Sequence, residues 1–144
     1  MKIAISQPTF FPWLGYFQLL EVADVFVFLD DVQFDKRSWQ QRNRILSNGK
    51  FGWLTAPTKT SGLYSQKISN VQFAEDINWK KKHLATISHN YNKSFFFKEV
   101  MPIIIHIYNQ DTDSLADFNI FAIETLCSFL QIQCSFLRSS SMNI

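Results

Sequence analysis

A charged stretch at residues 28–44 contains the side chains of this sequence that are best suited to chemistry. It reads FLDDVQFDKRSWQQRNR, so an apolar run ends in carboxylates, cations and amides around one tryptophan. Only 18% of the whole chain is charged, which makes the cluster stand out. Burying one unpaired charge costs several kcal/mol, so these groups must lie in water, in a paired network or against a charged ligand. The stretch is therefore a candidate site.

Two adjacent acids, Asp30 and Asp31, are the candidate catalytic groups. One interpretation gives them a loop role, in which they cap the backbone or pair with Lys36 and Arg37. The other gives one of them a role in chemistry, as a general base, a magnesium ligand or a hydroxyl acceptor. Neighbouring residues of an extended chain point to opposite faces, so at most one acid would face a crevice. Their place at the end of a predicted strand favours the second interpretation.

The cations of the same stretch are candidate anion ligands. Arg37, Arg42 and Arg44 carry guanidinium groups, whose planar pair of donors matches phosphate and carboxylate. The alternative is a solvated hairpin whose charges bind nothing. Trp39 either stacks on a ligand ring or a guanidinium, or anchors the hairpin to the core.

The elements that must position these residues begin with a short aliphatic strand at residues 2–5, which Gln7 and Pro8 end. A helix is predicted from Trp13, and the VFVFL run that follows Asp24 predicts a buried strand. Strand, helix and strand form a βαβ unit with parallel strands, and ligands of such sheets bind beyond the carboxyl ends of the strands. We therefore expect residues 6–8 to face the two acids. Gly15 lies early in the helix, where another backbone or a ligand would have to come close.

The remaining chain predicts a hairpin turning at Asn48 and Gly49, a short strand at residues 66–73, three further helices and a last strand at residues 134–137. Asp113 or Ser114 is expected to cap the final helix. Within the hairpin, Arg42 and Arg44 should project from the same face. The predicted fold is α/β and three-layer-like, with an N-terminal βαβ unit, a polar hairpin insertion and a C-terminal helical part that ends in a strand.

Composition limits the class of protein. A chain of 144 residues with 47% hydrophobic residues and 15 phenylalanines predicts one globular domain over residues 1–144. A net charge of +2 argues against a dedicated nucleic-acid binder. The N-terminus lacks the apolar run of a signal peptide and no window resembles a membrane span, so a cytoplasmic protein is expected. Cys127 and Cys134 are expected to be reduced.

Several kinds of site are absent from the sequence. The sequence has four glycines, at positions 15, 49, 52 and 62. It therefore contains no G-x-G-x-x-G dinucleotide-binding motif, no P-loop and no G-x-S-x-G nucleophile motif. The three histidines and two cysteines lack the spacing of a structural zinc site. No metal ligand set is predicted from these residues.

The motifs IAISQPTFFPWLGYF, VFVFLDDVQFDKRSWQQRNRI and WLTAP resemble those of the WbqC-like protein family, and the likeness extends across the chain to the final RSS. The family is found among bacterial O-antigen and polysaccharide biosynthesis functions. The resemblance implies a transferase that moves a glycine, aminoacyl or related acyl group in O-antigen assembly. The positions matching the family's pattern are Gln7, Pro8, Pro12, Trp13, Gly15, Tyr16, Asp30, Asp31, Gln33, Trp39, Arg42 and Asn43.

Two departures from the family pattern accompany this resemblance. Many relatives have histidine where this chain has Ser6, and asparagine where it has Gln41. Members also usually continue through a further α/β segment beyond the serines. The resemblance thus implies a chain that lacks the family's C-terminal segment, and hence a shortened or inactive version.

A more distant resemblance is to nucleotidyltransferases of the HIGH type, such as pantoate–β-alanine ligase. Those enzymes also place a motif between a strand and a helix, and a polar Q-F loop after the next strand. Their essential histidines are missing here, so this likeness implies a nucleotide-sized crevice and not adenylyl transfer.

These observations give three hypotheses. The first is a transferase that binds an activated, anionic small-molecule donor, linked to a nucleotide and with or without Mg²⁺, between residues 7–15 and 30–44. The second is a non-catalytic binding or scaffold protein that contacts other proteins of the polysaccharide pathway. The third is single-stranded nucleic-acid binding by Trp39 and the arginines, for which affinity would fall steeply with salt. The candidate substrate-binding residues are Gln7, Pro8, Trp13, Gly15, Tyr16, Gln33, Lys36, Arg37, Trp39, Arg42, Asn43 and Arg44.

Overall fold

The computed structural model describes residues 1–76 and 78–142. Within these ranges a parallel sheet and an antiparallel hairpin combine with four α-helices, which confirms the α/β class. In chain order the elements are β1 (Ile3–Ser6), α1 (Leu14–Val22), β2 (Val25–Phe28), β3 (Arg42–Ser47), β4 (Lys50–Thr55), α2 (Trp79–Tyr91), α3 (Phe97–Tyr108), α4 (Leu115–Phe129) and β5 (Ser135–Arg138). Two 3₁₀ turns lie at Ile68–Asn70 and Ser139–Ser141.

The parallel sheet has the strand order β1-β2-β5. Ser6 pairs with Phe28, and Phe28 pairs with Arg138, so the carboxyl ends of all three strands meet at one edge. The predicted βαβ unit and the predicted final strand are both present. The residues that follow β1 and β2 therefore leave the sheet side by side, and the Leu29 amide donates to the Ser6 carbonyl at 2.9 Å.

The two faces of this sheet are covered differently. Ala4, Phe26 and Phe28 pack against α1 and α4 in one hydrophobic cluster. On the opposite face, Ile3 is 56% exposed and Ile5 is 60% exposed. Parallel sheets are usually covered on both faces. In the described residues, helices cover one face of this sheet.

The hairpin forms as predicted, because Asn48 and Gly49 have φ angles of 50° and 75°. These left-handed conformations suit a two-residue turn between twisted strands. The turn sets the register, in which Arg44 lies opposite Trp53 and Leu46 lies opposite Phe51.

Helix α4 connects the two hydrophobic cores. Leu115 and Phe118 pack with α2 and α3, whereas Ile120 and Ile123 pack beneath the sheet. The predicted serine cap is confirmed, since the Ser114 hydroxyl accepts the Asp117 amide at 3.2 Å. In the described ranges the longest helix has 15 residues, and no helix has the length and apolar character needed to cross a bilayer.

The predicted strand at residues 66–73 is wrong. The segment forms the 3₁₀ turn Ile68–Asn70 between isolated bridges to other loops. Ile68 and Val71 are both fully buried, and residues three apart share a face in a 3₁₀ turn but lie on opposite faces of a strand.

Candidate ligand-binding site

Buried amide side chains connect the loop after β1 to the charged stretch. The Asn119 amide donates to the carbonyls of Pro8, at 3.1 Å, and Gln40, at 2.7 Å. The Gln40 amide donates to the Gln7 side-chain oxygen at 2.8 Å. The Asn43 amide donates to the Phe11 carbonyl at 2.6 Å. These bonds hold the loop after β1 against the later part of the charged stretch, whereas the expected contact of residues 6–8 with the two acids stays a prediction.

Trp13 and Gly15 form the start of helix α1. A Cβ atom on Gly15 would lie 2.1 Å from Cη2 of Trp13, so the indole ring rests directly on this glycine. The close neighbour of Gly15 is therefore the side-chain ring of a residue two positions earlier, and not the other backbone or the ligand that the sequence led us to expect. Trp13 itself remains 75% exposed, which leaves its other face free.

Aromatic rings and arginines line the face of the hairpin that is turned toward Trp13. The rings of Trp39 and Trp53 lie 5.6 Å apart. Arg42 stacks on Trp53 at 4.2 Å, and Arg44 lies 5.2 Å from Phe51 and 5.9 Å from Trp53. Both guanidinium groups contact Trp53, which confirms that the two arginines share one face. We call Trp39, Phe51 and Trp53 the aromatic wall.

A cleft with a volume of about 710 Å³ lies between Trp39 and Phe51 of the aromatic wall and the start of α1. Its lining residues are Ser6, Thr9, Trp13, Tyr16, Trp39, Asn43, Arg44 and Phe51. Arg44 is the one charged residue of this lining. Among the described residues, its guanidinium has no carboxylate within ion-pair distance, so its donors are available to an anion. We call this space the main cleft.

Tyr16 closes the inner side of the main cleft. Its hydroxyl donates to the Gln7 carbonyl at 3.0 Å. Burial raises the pKa of Tyr16 well above its usual value, although a hydrogen bond with Ser6 opposes this. The phenol therefore stays protonated and lines the main cleft as a neutral hydrogen-bonding group.

Asp30 lies outside the main cleft and is fully buried. Its carboxylate accepts bonds from the Ser140 amide at 2.9 Å and the Ser140 hydroxyl at 2.8 Å, and it pairs with Arg138 at 2.8 Å. Arg138 also binds Asp117 at 2.6 Å. We call these four residues, together with Ser139, the carboxylate latch. It joins the end of β2 to the segment that follows β5.

The electrostatics of Asp30 match this structural position. Burial alone would raise its pKa, but the hydrogen bonds from Ser140 and Arg138 outweigh burial and hold the pKa below its usual value. Asp31 is half-buried and accepts a hydrogen bond from the Ser139 hydroxyl. A catalytic role for either acid stays a prediction, and neither lines the main cleft.

The other predicted site residues divide into three groups. Trp13, Tyr16, Trp39, Asn43 and Arg44 are brought together in the lining of the main cleft. Gln7 and Pro8 support that lining from behind through their hydrogen bonds. The residues placed elsewhere are Gln33, whose amide donates to the Tyr64 carbonyl, the exposed Lys36 and Arg37, and Arg42, which stacks on Trp53.

Reasoning from the sequence missed several residues of the site. Counting back from the Asn48-Gly49 turn pairs Arg44 with Trp53, so the aromatic wall could have been found from the register. Asn119 and Arg138 gave no such signal, because their partners Pro8 and Asp30 lie 111 and 108 residues away in the chain.

The fold and the cleft together define an α/β protein with an aromatic and cationic candidate ligand site. Comparison with known families shows that the chain belongs to the WbqC-like protein family, whose model matches residues 7–144. The chain is 32% identical over 139 residues to the uncharacterized protein Rv1507c of Mycobacterium tuberculosis (strain ATCC 25618 / H37Rv). That match covers 96% of this chain and 60% of the mycobacterial protein. No solved structure matches the chain.

Arg44, Trp39 and the residues around them make the main cleft suitable for a ligand that combines a ring with negative charge. Within residues 1–76 and 78–142, no group of three or more His, Cys, Asp or Glu side chains is placed to hold a metal ion. The lining supplies one guanidinium, an amide, three hydroxyl groups and four aromatic rings, of which Tyr16 carries one of the hydroxyls.

Proposed function

We propose that the main cleft binds an anionic, ring-bearing donor molecule, such as a nucleotide-linked or acyl-phosphate compound, for a transferase reaction of bacterial surface polysaccharide (O-antigen) assembly. The observation that carries the binding step is Arg44, whose guanidinium has no carboxylate partner among the described residues and lies among exposed aromatic rings. A guanidinium binds phosphate or carboxylate through two parallel donors, and a neighbouring indole offers a stacking surface for the donor's ring.

Membership of the WbqC-like family supports the transferase and polysaccharide part of the proposal, through the resemblance described above. The chain spans 60% of the length of its mycobacterial relative, so the activity of a longer protein is proposed here for this chain and not transferred to it.

A binding assay tests the proposal directly. Purified protein would be titrated calorimetrically with nucleoside diphosphates, nucleotide sugars and aminoacyl-adenylate analogues. We expect saturable binding of at least one class, and Arg44→Gln should weaken it by about 1.5–3 kcal/mol, the scale of a charge-assisted hydrogen bond. Lys36→Gln is the matched control, because it removes one positive charge from the same stretch outside the cleft lining. Equal losses in the two variants, or no binding by the unmodified protein, would overturn the assignment.

A second candidate is a non-catalytic binding protein of the same pathway. It is favoured by the cleft lining, which contains neither a carboxylate nor an imidazole to move a proton. Ser6 lines the cleft, and the family resemblance described above implies a histidine at this position in many relatives. Donor binding without turnover by the unmodified chain, together with turnover by Ser6→His, would support this candidate.

A further inference from the structure

A second cleft adjoins the main cleft at Trp13, Asn43 and Arg44, which line both. It has a volume of about 370 Å³. Its other lining residues are Phe10, Phe11, Pro12, Ile45, Leu54, Ile87, Tyr91 and Ile104. All of these except Tyr91 have side chains without polar atoms, and we call this space the apolar cleft.

Two of the polar side chains that line the apolar cleft, Asn43 and Tyr91, are already hydrogen-bonded. The Asn43 amide donates to the carbonyls of Phe10 and Phe11. The Tyr91 hydroxyl accepts the Leu46 amide at 3.0 Å. Among the lining side chains, the Arg44 guanidinium therefore remains as the group that can hold an anion. A ligand portion inside the apolar cleft would find hydrocarbon surface and few free hydrogen-bonding partners.

We propose that the apolar cleft holds an aliphatic chain attached to the anionic group of the donor, so that the donor contains an alkyl or acyl phosphate portion. Arg44 would bind the phosphate at the junction of the two clefts, and the chain would extend between α2, α3 and the hairpin. This inference rests on the proposed function, because it assumes that Arg44 binds the donor's anion.

Burial of hydrocarbon gives the proposal a quantitative form. Each methylene group removed from water contributes roughly 0.8 kcal/mol, which corresponds to about a fourfold gain in affinity. Affinity should therefore rise with chain length and then level off, because the apolar cleft has a finite volume.

The test is a calorimetric titration of the protein with methyl, butyl, hexyl and octyl phosphate. The expected result is an increase of up to about fourfold in affinity for each added methylene, ending in a plateau. Ile104→Gln places a polar side chain in the apolar cleft and should abolish the dependence on chain length. Ile105→Gln is the matched control, since Ile105 is the next residue of α3 and lies outside the cleft lining.

Two further measurements make the outcome decisive. Ile87→Phe reduces the cleft volume without adding a polar group, and it should move the plateau to a shorter chain even if Ile104→Gln folds poorly. Geranyl phosphate compared with octyl phosphate distinguishes a prenyl from a straight acyl-type chain, because branching and double bonds demand a wider channel.

The failure of this inference can be told apart from failure of the proposed function. If nucleotides bind through Arg44 but the affinity of alkyl phosphates does not depend on chain length, the chain site is overturned and the anion site stands. If Ile105→Gln weakens the dependence of affinity on chain length as much as Ile104→Gln does, the chain binds a different surface and the proposal is wrong. If nothing binds, both proposals fail together.

Discussion

The Asp30 carboxylate is surrounded by donors from one short segment of the chain. Ser139, Ser140 and Arg138 all approach it, and Arg138 continues to Asp117 on α4. A buried charge is tolerated when it is paired and its remaining lone pairs accept hydrogen bonds. Asp30 meets both conditions, so its charge stabilises the contact between β2 and the segment after β5.

Replacement of this carboxylate by an amide should be costly. Asp30→Asn keeps the size of the side chain but removes the negative charge and turns an amide donor toward the Arg138 guanidinium. We expect the free energy of unfolding to fall by about 3 kcal/mol. This value is at the lower end of the range for breaking a buried ion pair, because Arg138 retains its ion pair with Asp117. Chemical denaturation followed by circular dichroism measures this change.

The adjacent acid provides the control for this prediction. Asp31 is half-buried and its described hydrogen bond comes from one serine hydroxyl, so Asp31→Asn should cost less than about 1.5 kcal/mol. Equal losses at the two positions would contradict the structural role that we give to Asp30. Loss of activity in Asp30→Asn without loss of stability would instead support the catalytic role predicted from the sequence.

At the scale of single residues, the sequence predicts side chains whose partners are near in the chain. Trp39 and Arg44 were found because they lie together in one polar stretch beside a hairpin turn. The surroundings of Asp30 could not be predicted, because a strand-end acid near Lys36 and Arg37 has local cations available. The partner that it takes, Arg138, comes beside it through the pairing of β2 with β5.

At the scale of elements, the start of helix α1 determines the shape of the main cleft. Its cap residue Trp13 makes no side-chain hydrogen bond to the helix, and its ring lies on Gly15 instead. A glycine is unfavourable in a helix by about 1 kcal/mol relative to alanine. This local cost places an exposed indole at the edge of the ligand site.

Gly15→Ala should therefore separate stability from binding. The new methyl group cannot share space with the Trp13 ring, so the exposed ring must move out of its position. The free energy of unfolding should stay the same or rise by up to about 1 kcal/mol, because alanine favours the helix. Donor affinity should fall severalfold, and tryptophan emission should shift as the face of the Trp13 ring that rests on Gly15 is exposed to water.

Gly52→Ala is the control for this experiment, because a Cβ there meets its nearest neighbour at an ordinary distance of 3.5 Å. It lies in β4, between Phe51 and Trp53 of the aromatic wall. If both glycine variants bind the donor as well as the original protein does, the position of Trp13 has no part in the site.

The hairpin and the segment at residues 66–73 show which elements local patterns can predict. Asn48 and Gly49 require a tight turn, so the strands on both sides and their register follow from local chemistry. In residues 66–73, the buried positions Ile68 and Val71 are three apart, but an apolar segment this short is compatible with either period. Tertiary packing against α4 decided its conformation.

At the scale of the whole molecule, α4 joins the two hydrophobic cores, because its residues pack into both of them. The first core contains His83 and Tyr108 in contact with Trp79, Phe10 and Phe118. His83 is buried, and its Nδ1 lies 3.0 Å from the Tyr108 hydroxyl. Burial lowers the pKa of His83 from 6.5 to about 4, although a backbone hydrogen bond involving Thr55 opposes the shift. A charged imidazole is therefore disfavoured in this core.

This buried histidine makes the stability of the molecule sensitive to mild acid. The unfolded chain binds a proton at His83 more tightly than the folded chain does, so the stabilising effect is complete above pH 6.5 and is lost as the pH falls toward 4. The shift corresponds to about 3 kcal/mol in the free energy of unfolding. Asp30 adds a further loss of stability at lower pH, because its pKa is lowered from a value of about 4.

His83→Gln should remove most of the loss in the free energy of unfolding between pH 7 and pH 4.5. Glutamine does not titrate, and it keeps an amide within reach of the Tyr108 hydroxyl. Urea denaturation at these two pH values, followed by circular dichroism, measures the difference. His89→Gln, an exposed substitution in the same helix, controls for the loss of a histidine. If the unmodified protein and His83→Gln lose the same stability over this interval, protonation of His83 does not control acid unfolding, and the loss must come from carboxylates.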